Sequence, residues 1–444
     1  MVQIAPFKGL QYNPDKISFI SRVVAPPYDL IDPDQAEELR QRDPHNVIRL
    51  ILGKEGPEGR PPEDYQQAAL TLASWRREGV LIPAPVPSVY VCEQAFELQG
   101  SRHVRRGLIC AMLLEEFARG QVLPHERTLA GPKADRLRLM EACSANLSQV
   151  FGVFSDPEGR ADRLLRDAGA ASLLYEFRDV DKVAYRVWRV TDETYIRDLA
   201  SLVQKEVMLI ADGHHRYETA LRYRDSHRPE GAHRGSVAED FVPIYCVSVK
   251  NAGLQILPTH RLAKAVAPFD PEAFVSGLEQ RFNLERHRFA GPEGLRGTLR
   301  LVQEHGGLMA CHVRQQQLYI LSAKSSDALE DLMPGRSAAW RCLPVSALHY
   351  AVLEPLFGIR AEGEGPEPRL TFSQDIEKMY WSVESQRFDA GFFLPPIRPE
   401  TVETIARAGE RMPPKSTFFY PKIASGLVFY PLDRQAEPPQ APAI

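Results

Sequence analysis

Hydrophobic positions along the chain recur with two periods, two and about 3.6, and each switch marks an element. From Ser88 the period is two: "SVYVCEQAFEL", a "QGSRH" turn and "VRRGLICAMLLEEF" predict an antiparallel hairpin. "LLYEFRDVDKVAYRVWRV" repeats the pattern and turns at Asp179 to Lys182. "TDETYIRDLASLVQK" is helical, capped by Thr191 or Asp192, with Ile196, Leu199, Leu202 and Val203 on one face. A short buried strand, "VMLIA", precedes a helix, "RYETALRYRDSH", and "DFVPIYCVSV" and "GLQILPTHRL" supply two more strands.

Beyond Ala265 the order is helix ("DPEAFVSGLEQRF"), helix ("GLRGTLRLVQEHG"), then two strands ("LMACHVRQQQLYILSAK"). Two helices follow ("PVSALHYAVLEPLF", "DIEKMYWSVESQ"), then the strand "DAGFFLPP" and a closing "GLVFYPL". Strands and helices do not alternate strictly, so the expected class is mixed α/β (α+β) rather than a doubly wound sheet. Proline-rich connectors, "VVAPPYDLIDPD", "GPEGRPPEDY", "LIPAPVPSV" and a frayed "EPPQAPAI", punctuate the chain. These shifts divide it into an N-terminal segment (1–87), a core (88–265) and a C-terminal region (266–444). The last is expected to return a loop, 411–423, to the core's site.

At 444 residues the chain is too long for one ordinary core. Its net charge of −4 gives no footprint for nucleic acid or anionic membrane. No apolar run approaches a membrane span, and no basic stretch followed by an apolar one opens the chain. The six cysteines are scattered and read as small buried hydrophobes. The expected setting is a bacterial-type cytoplasm, without a membrane; oligomeric state is open.

Chemistry concentrates in "ADGHHRYETA", where a strand turns into a helix. Gly213 permits an unusual backbone conformation, and the free N–H groups of a helix start bind phosphate. His214, His215 and Arg216 surround that point, and Asp212 is placed to hold Mg²⁺ or take a proton. Arg216, near the helix start, is expected to tolerate Ala without loss of the fold. A zinc-type reading of Asp212, His214 and His215 is weakened because adjacent histidines in an extended turn point apart.

Two further strings carry cations and hydroxyls. "LPHERTLAGPKADRLRLM" offers His125, Glu126, Lys133, Asp135 and Arg136, as a substrate loop or as a solvated loop entering a helix. "RMPPKSTFFYPKIASGLVFY" offers Lys415, Ser416 and Thr417 but lacks the glycines of a P-loop. Lys133, His214 and Lys415 are expected to line one cleft. "VVAPPYDLI", with Tyr28 and Asp29, reads as a structural turn before a helix capped by Asp32.

Taken together, "APPYDLI", "DPHNVIRLIL", "HERTLAGPKADR", "ANLSQVFGVF", "ADGHHRYETAL", "LPTHRL", "AGERMPPKSTFFYPK" and "SGLVFY" resemble the bacterial and archaeal family called domain of unknown function ten-fifteen. One departure is "TFSQD": the family pattern has His-Asp where this chain has Gln374-Asp375, so no role for that His carries over. More narrowly, the D-G-H-H-R string is similar to the motif of ParB/sulfiredoxin-like free serine kinases. That resemblance implies a ParB/sulfiredoxin-like core holding nucleotide phosphates near Gly213 to Arg216, with Asp212 and one histidine catalytic.

The resulting expectation is a phosphotransferase using ATP or ADP with Mg²⁺, acting on a small hydroxyl compound such as free serine. In it Asp212 serves as metal ligand or base and Glu126 as second base candidate. Lys133, Arg136, Lys415, Ser416 and Thr417 would grip phosphate or substrate. Run backwards, the same site would be a phosphoserine phosphatase. Two other classes compete: a non-enzymatic nucleotide-responsive or protein-binding regulator, and a metal-dependent hydrolase built on Asp212, His214 and His215.

Overall fold

The structure, a computed structural model, describes all residues except 54–59, 129, 168–170, 267, 305, 326–328, 361–367, 434–437, 443 and 444. The "GPEG" start of the second proline-rich connector lies outside the described residues, as do residues 437, 443 and 444 of the last. The protein is mixed α/β and falls into two compact units. The first comprises Met1–Pro124, Thr128–Gln255 and Pro421–Ile444, the second His125–Arg127 and Ile256–Tyr420. Residues 1–87 thus share a unit with most of the core expected from the sequence.

A nine-stranded mixed sheet organises the first unit. Its order runs Val122–Pro124, Met208–Asp212, Val150–Phe154, Phe241–Ser248, Ser101–Leu113, Val89–Leu98, Ala184–Val190, Ser172–Arg178, and Ile4–Ala5 pairs with Ser101–Leu113 as well. Met208–Asp212 runs parallel to Val122–Pro124, and Phe241–Ser248 parallel to Val150–Phe154; the remaining pairs are antiparallel. The central hairpin turns at Gln99-Gly100, both at positive φ (51° and 77°), the two-residue turn that matches strand twist. Glu193–Gln204 forms the expected helix: Asp192 caps it through Tyr195 N–H at 2.7 Å and Ile196, Leu199, Ala200 and Val203 are buried. Leu202, expected on that face, is only half-buried.

The second unit has a six-stranded antiparallel sheet, ordered Phe282–Arg288, Gln317–Ala323, Met309–Val313, Ala390–Phe393, His260–Ala263, Leu370–Ser373. Helices Gly291–Glu304 and Ile376–Glu384 cover it, packing Leu295, Val302, Met379 and Val383 against Leu318 and Ile320. Two elements depart from the hydrophobic pattern. "GLQILPTHRL" breaks into Gln255–Leu257 and His260–Ala263, because Pro258 has no N–H for a ladder. "PVSALHYAVLEPLF" is interrupted by a π-helical turn, His349–Leu353.

Candidate functional site

Asp212 ends a strand whose register slips against Val150–Phe154 between Ile210 and Asp212, a bulge that re-aims the side chain. Gly213 follows at φ 84°, in the left-handed region, and the helix His214–His227 starts directly after it. A Cβ on Gly213 would also lie 2.7 Å from Arg216 Nε, because the Arg216 side chain folds back beneath the turn. Only glycine meets both demands.

Two cations hold the Asp212 carboxylate. Arg216 Nη2 donates to Oδ2 at 2.6 Å, and Lys422 Nζ donates to Oδ1. Burial alone would raise the Asp212 pKa, but Lys422 and Arg216 outweigh it and hold the carboxyl well below the usual range. Arg216, buried, also donates from Nη1 to the backbone carbonyl of Gln149. Its guanidinium is thus a clamp between the strand end and the neighbouring loop. The expectation that Ala is tolerated there is corrected: truncation would strip one cation from Asp212 and orphan a buried carbonyl.

Lys422 is positioned by a buried polar chain. The carbonyl of Lys422 accepts from Gln94 Nε2 and from Tyr185 Oη, both at 3.1 Å. Arg105, fully buried, donates to Gln94 Oε1 and to the carbonyl of Pro421, with its guanidinium 4.7 Å from the Phe151 ring. Every one of these groups sits on the sheet or on the returning segment.

The neighbouring loops add a second ionic layer. Arg136 pairs with Asp135, donates to the Ile51 carbonyl at 2.9 Å and lies 4.0 Å over the Tyr28 ring. Asp135 also accepts from Tyr65 Oη at 2.9 Å. Burial pushes the Tyr28 phenol up to about 12, against the opposing charges of Arg136 and Arg216, so both cations act on that ring. Lys133, expected to grip phosphate, bonds Glu218 of the motif helix at 2.9 Å, and Thr128 Oγ1 reaches the same oxygen at 2.7 Å. His214 is buried and His215 half-buried.

The residues fit an anion better than a metal. Both Asp212 oxygens face cations, so Mg²⁺ would have to displace Lys422 or Arg216. Among the described residues no group of three His, Cys, Asp or Glu is arranged to hold a metal ion. A base role for Asp212 also loses support, since a carboxylate held so far down is a weak proton acceptor.

The other expected residues, Glu126, Lys415, Ser416 and Thr417, belong to the second unit. There the buried His125 shares a 2.8 Å hydrogen bond between Nε2 and Thr417 Oγ1, and Thr417 Oγ1 lies 3.5 Å from Glu126 Oε1. Arg261, fully buried, donates to the carbonyl of Lys415 at 3.0 Å and fixes that loop, where Lys415 is exposed at φ 58°. Burial lowers the Arg261 pKa to about 9 despite the pull of Glu126. Gln374 donates to Thr259 Oγ1 at 3.4 Å, and Asp375 caps the helix Ile376–Glu384. Lys133 and His214 lie in the first unit and Lys415 in the second.

Gln149, Glu218 and Lys422 escaped the sequence reading, and Tyr28 reads there as a structural turn residue. Lys422 had a signal: a lone cation inside "FFYPKIASGLVFY", an apolar stretch, must find a buried partner. Gln149 acts through its backbone carbonyl, which any side chain would carry.

A family model described as protein of unknown function (DUF1015) matches residues 4–346. No curated protein matches the chain. Among solved structures, the chain is similar to a conserved hypothetical protein from Pyrococcus furiosus, at 12% identity and a TM-score of 0.34, covering 69% of this chain and 90% of that one. It is similar to a free serine kinase in complex with AMP, at 13% identity and a TM-score of 0.33, covering 68% and 84%. SbnI with C-terminal truncation from Staphylococcus aureus gives 10% identity and a TM-score of 0.33, covering 70% and 84%. Among the described residues no helix is long and apolar enough to cross a membrane.

Proposed function

The chain belongs to the DUF1015 family, and from the site of its first unit we propose that it is a nucleotide-dependent phosphotransferase. The acceptor is a small hydroxyl-bearing metabolite, with free serine the first to test. The observation that carries this reading is the arrangement at Asp212–Gly213. There a 14-residue helix starts at a left-handed glycine, and Lys422 and Arg216 converge on the strand end that feeds it.

Phosphoryl transfer asks a protein mainly for positioning and charge neutralisation. The N–H groups of the helix start, the Lys422 ammonium and His215 supply these for a nucleotide phosphate. Asp212 serves as the anchor that fixes Lys422 and Arg216, not as the proton acceptor. His215, half-buried at the helix start, is the candidate base for the substrate hydroxyl.

The test is phosphorus NMR of the purified protein with ATP or ADP, Mg²⁺ and L-serine, followed by other amino-acid and sugar alcohols. Phosphoserine, or another phosphate ester, should form with the wild type and be lost in His215→Gln. Saturable nucleotide binding with no ester formed from any acceptor would replace the enzyme by a nucleotide-responsive regulator.

A further inference from the structure

Three strands of the first unit meet in one row. Tyr185 of Ala184–Val190 stands opposite Gln94 of Val89–Leu98, which stands opposite Arg105 of Ser101–Leu113. The Tyr185 side chain is buried, and its ring stacks on Phe177 of the next strand, with centroids 4.8 Å apart and planes 4° from parallel. Its hydroxyl is used three times. It donates to the Lys422 carbonyl at 3.1 Å, accepts from the Ala424 N–H at 3.2 Å and accepts from Gln94 Nε2 at 2.8 Å. Tyr185 therefore holds both of the peptide planes that follow Lys422. Gln94 and Arg105 act on the carbonyls before Ile423, those of Lys422 and Pro421.

We propose that Tyr185 is a positioning residue for Lys422: its hydroxyl fixes the point from which the ammonium reaches Asp212, and with it the place of that cation in the phosphate grip. The second half of this statement rests on the phosphotransferase reading, the first half does not. Lys422 carries its charge on a flexible four-carbon stem, so the place of the ammonium depends on how firmly the backbone beneath it is held. The Lys422 and Asp212 side chains are only 11% and 15% exposed, and a pair so far from water gains from its attraction only when its geometry is well kept. A phenylalanine at position 185 keeps the stack on Phe177 and loses all three bonds, which separates the holding of Lys422 from the packing of the ring.

Two measurements on the full chain test this in Tyr185→Phe: trace acetylation of Lys422 read by mass spectrometry, with the exposed Lys205 as reference, and calorimetric titration with ADP. The control is Tyr195→Phe, which removes a tyrosine hydroxyl that donates instead to the Leu164 carbonyl at 3.0 Å. Relative to Lys205, Lys422 should be acetylated about tenfold or more faster in Tyr185→Phe, and ADP should bind about tenfold or more weakly. Tyr195→Phe should match the wild type in both. Should Tyr185→Phe not fold, Gln94→Glu carries the same test, because it keeps the acceptor for Arg105 and removes the donor to Tyr185 and to the Lys422 carbonyl. The proposal is overturned if Lys422 is acetylated at the wild-type rate, if Tyr185→Phe binds ADP as the wild type does, or if Tyr195→Phe changes both readouts equally. A wild type that does not bind ADP removes the phosphate grip instead, and acetylation alone then decides whether Tyr185 positions Lys422.

Discussion

Arg216→Ala tests the clamp at the centre of the first unit. The side chain is 10% exposed and holds Asp212 at 2.6 Å while it donates to the Gln149 carbonyl. Losing one partner of a buried ion pair costs about 3–5 kcal/mol. Lys422 remains on Asp212, which argues for the lower end, about 3 kcal/mol. The orphaned Gln149 carbonyl works in the other direction, by about 1–3 kcal/mol. At about 2–4 °C per kcal/mol for a domain of this class, the first unit's melting transition should fall by roughly 6–12 °C at the lower figure. Arg216→Lys keeps the charge but not the fork, so it should fall between the two. Differential scanning calorimetry reads all three proteins. A melting temperature for Arg216→Ala within about 2 °C of wild type would show that the contacts around Asp212 carry no net stability.

The remaining predictions concern charge and pH. Burial and the nearby Arg261 lower His260 and His349 to about 3, whereas in the unfolded chain both titrate near 6.5. The unfolded state therefore takes up more protons between those values, and stability should fall as pH drops from about 6.5 towards 3. His349→Gln should flatten that slope, and an unchanged slope would refute its assignment. Asp212 is depressed, so its contribution is present above about pH 4 and lost below it. The stability deficit of Asp212→Asn should therefore shrink as pH falls below 4, and no activity limb above that pH should belong to Asp212. A limb near neutrality that disappears in Asp212→Asn would restore its role as base. Burial raises Asp179 to about 6, so its charged form disfavours folding as pH climbs from about 4 to 6. Asn keeps an acceptor for the Val183 N–H at 2.9 Å, so Asp179→Asn should be more stable than wild type at pH 7 and indistinguishable at pH 4. Equal stability at pH 7 would contradict this.

Local periodicity made much of the fold legible. The Val89–Leu98 and Ser101–Leu113 hairpin and the Asp192-capped helix follow from patterns within a dozen residues. What stayed hidden was long-range. Arg216 reads as a solvent-facing phosphate ligand until Asp212 and Gln149 are seen to take its N–H groups. Lys133 reads as a free cation until Glu218 is seen beside it. Tyr28 reads as a turn residue because its partner, Arg136, lies more than a hundred positions away. Sequence locates chemically dense strings well, but which charges neutralise one another depends on tertiary pairing. The π-helical turn at His349–Leu353 was illegible for a different reason: the apolar spacing of a π turn differs from an α turn by one residue in a short stretch.

The central claim is that the turn at Asp212–Gly213, with Lys422, grips a nucleotide phosphate. Isothermal titration calorimetry of ADP into wild type and Lys422→Met, at a temperature where both are folded by calorimetry, tests it most directly. Loss of one charge-assisted hydrogen bond, about 1.5–3 kcal/mol, should weaken ADP binding by roughly 10- to 150-fold. Equal affinity in the two proteins, or no ADP binding to the wild type, would contradict the account.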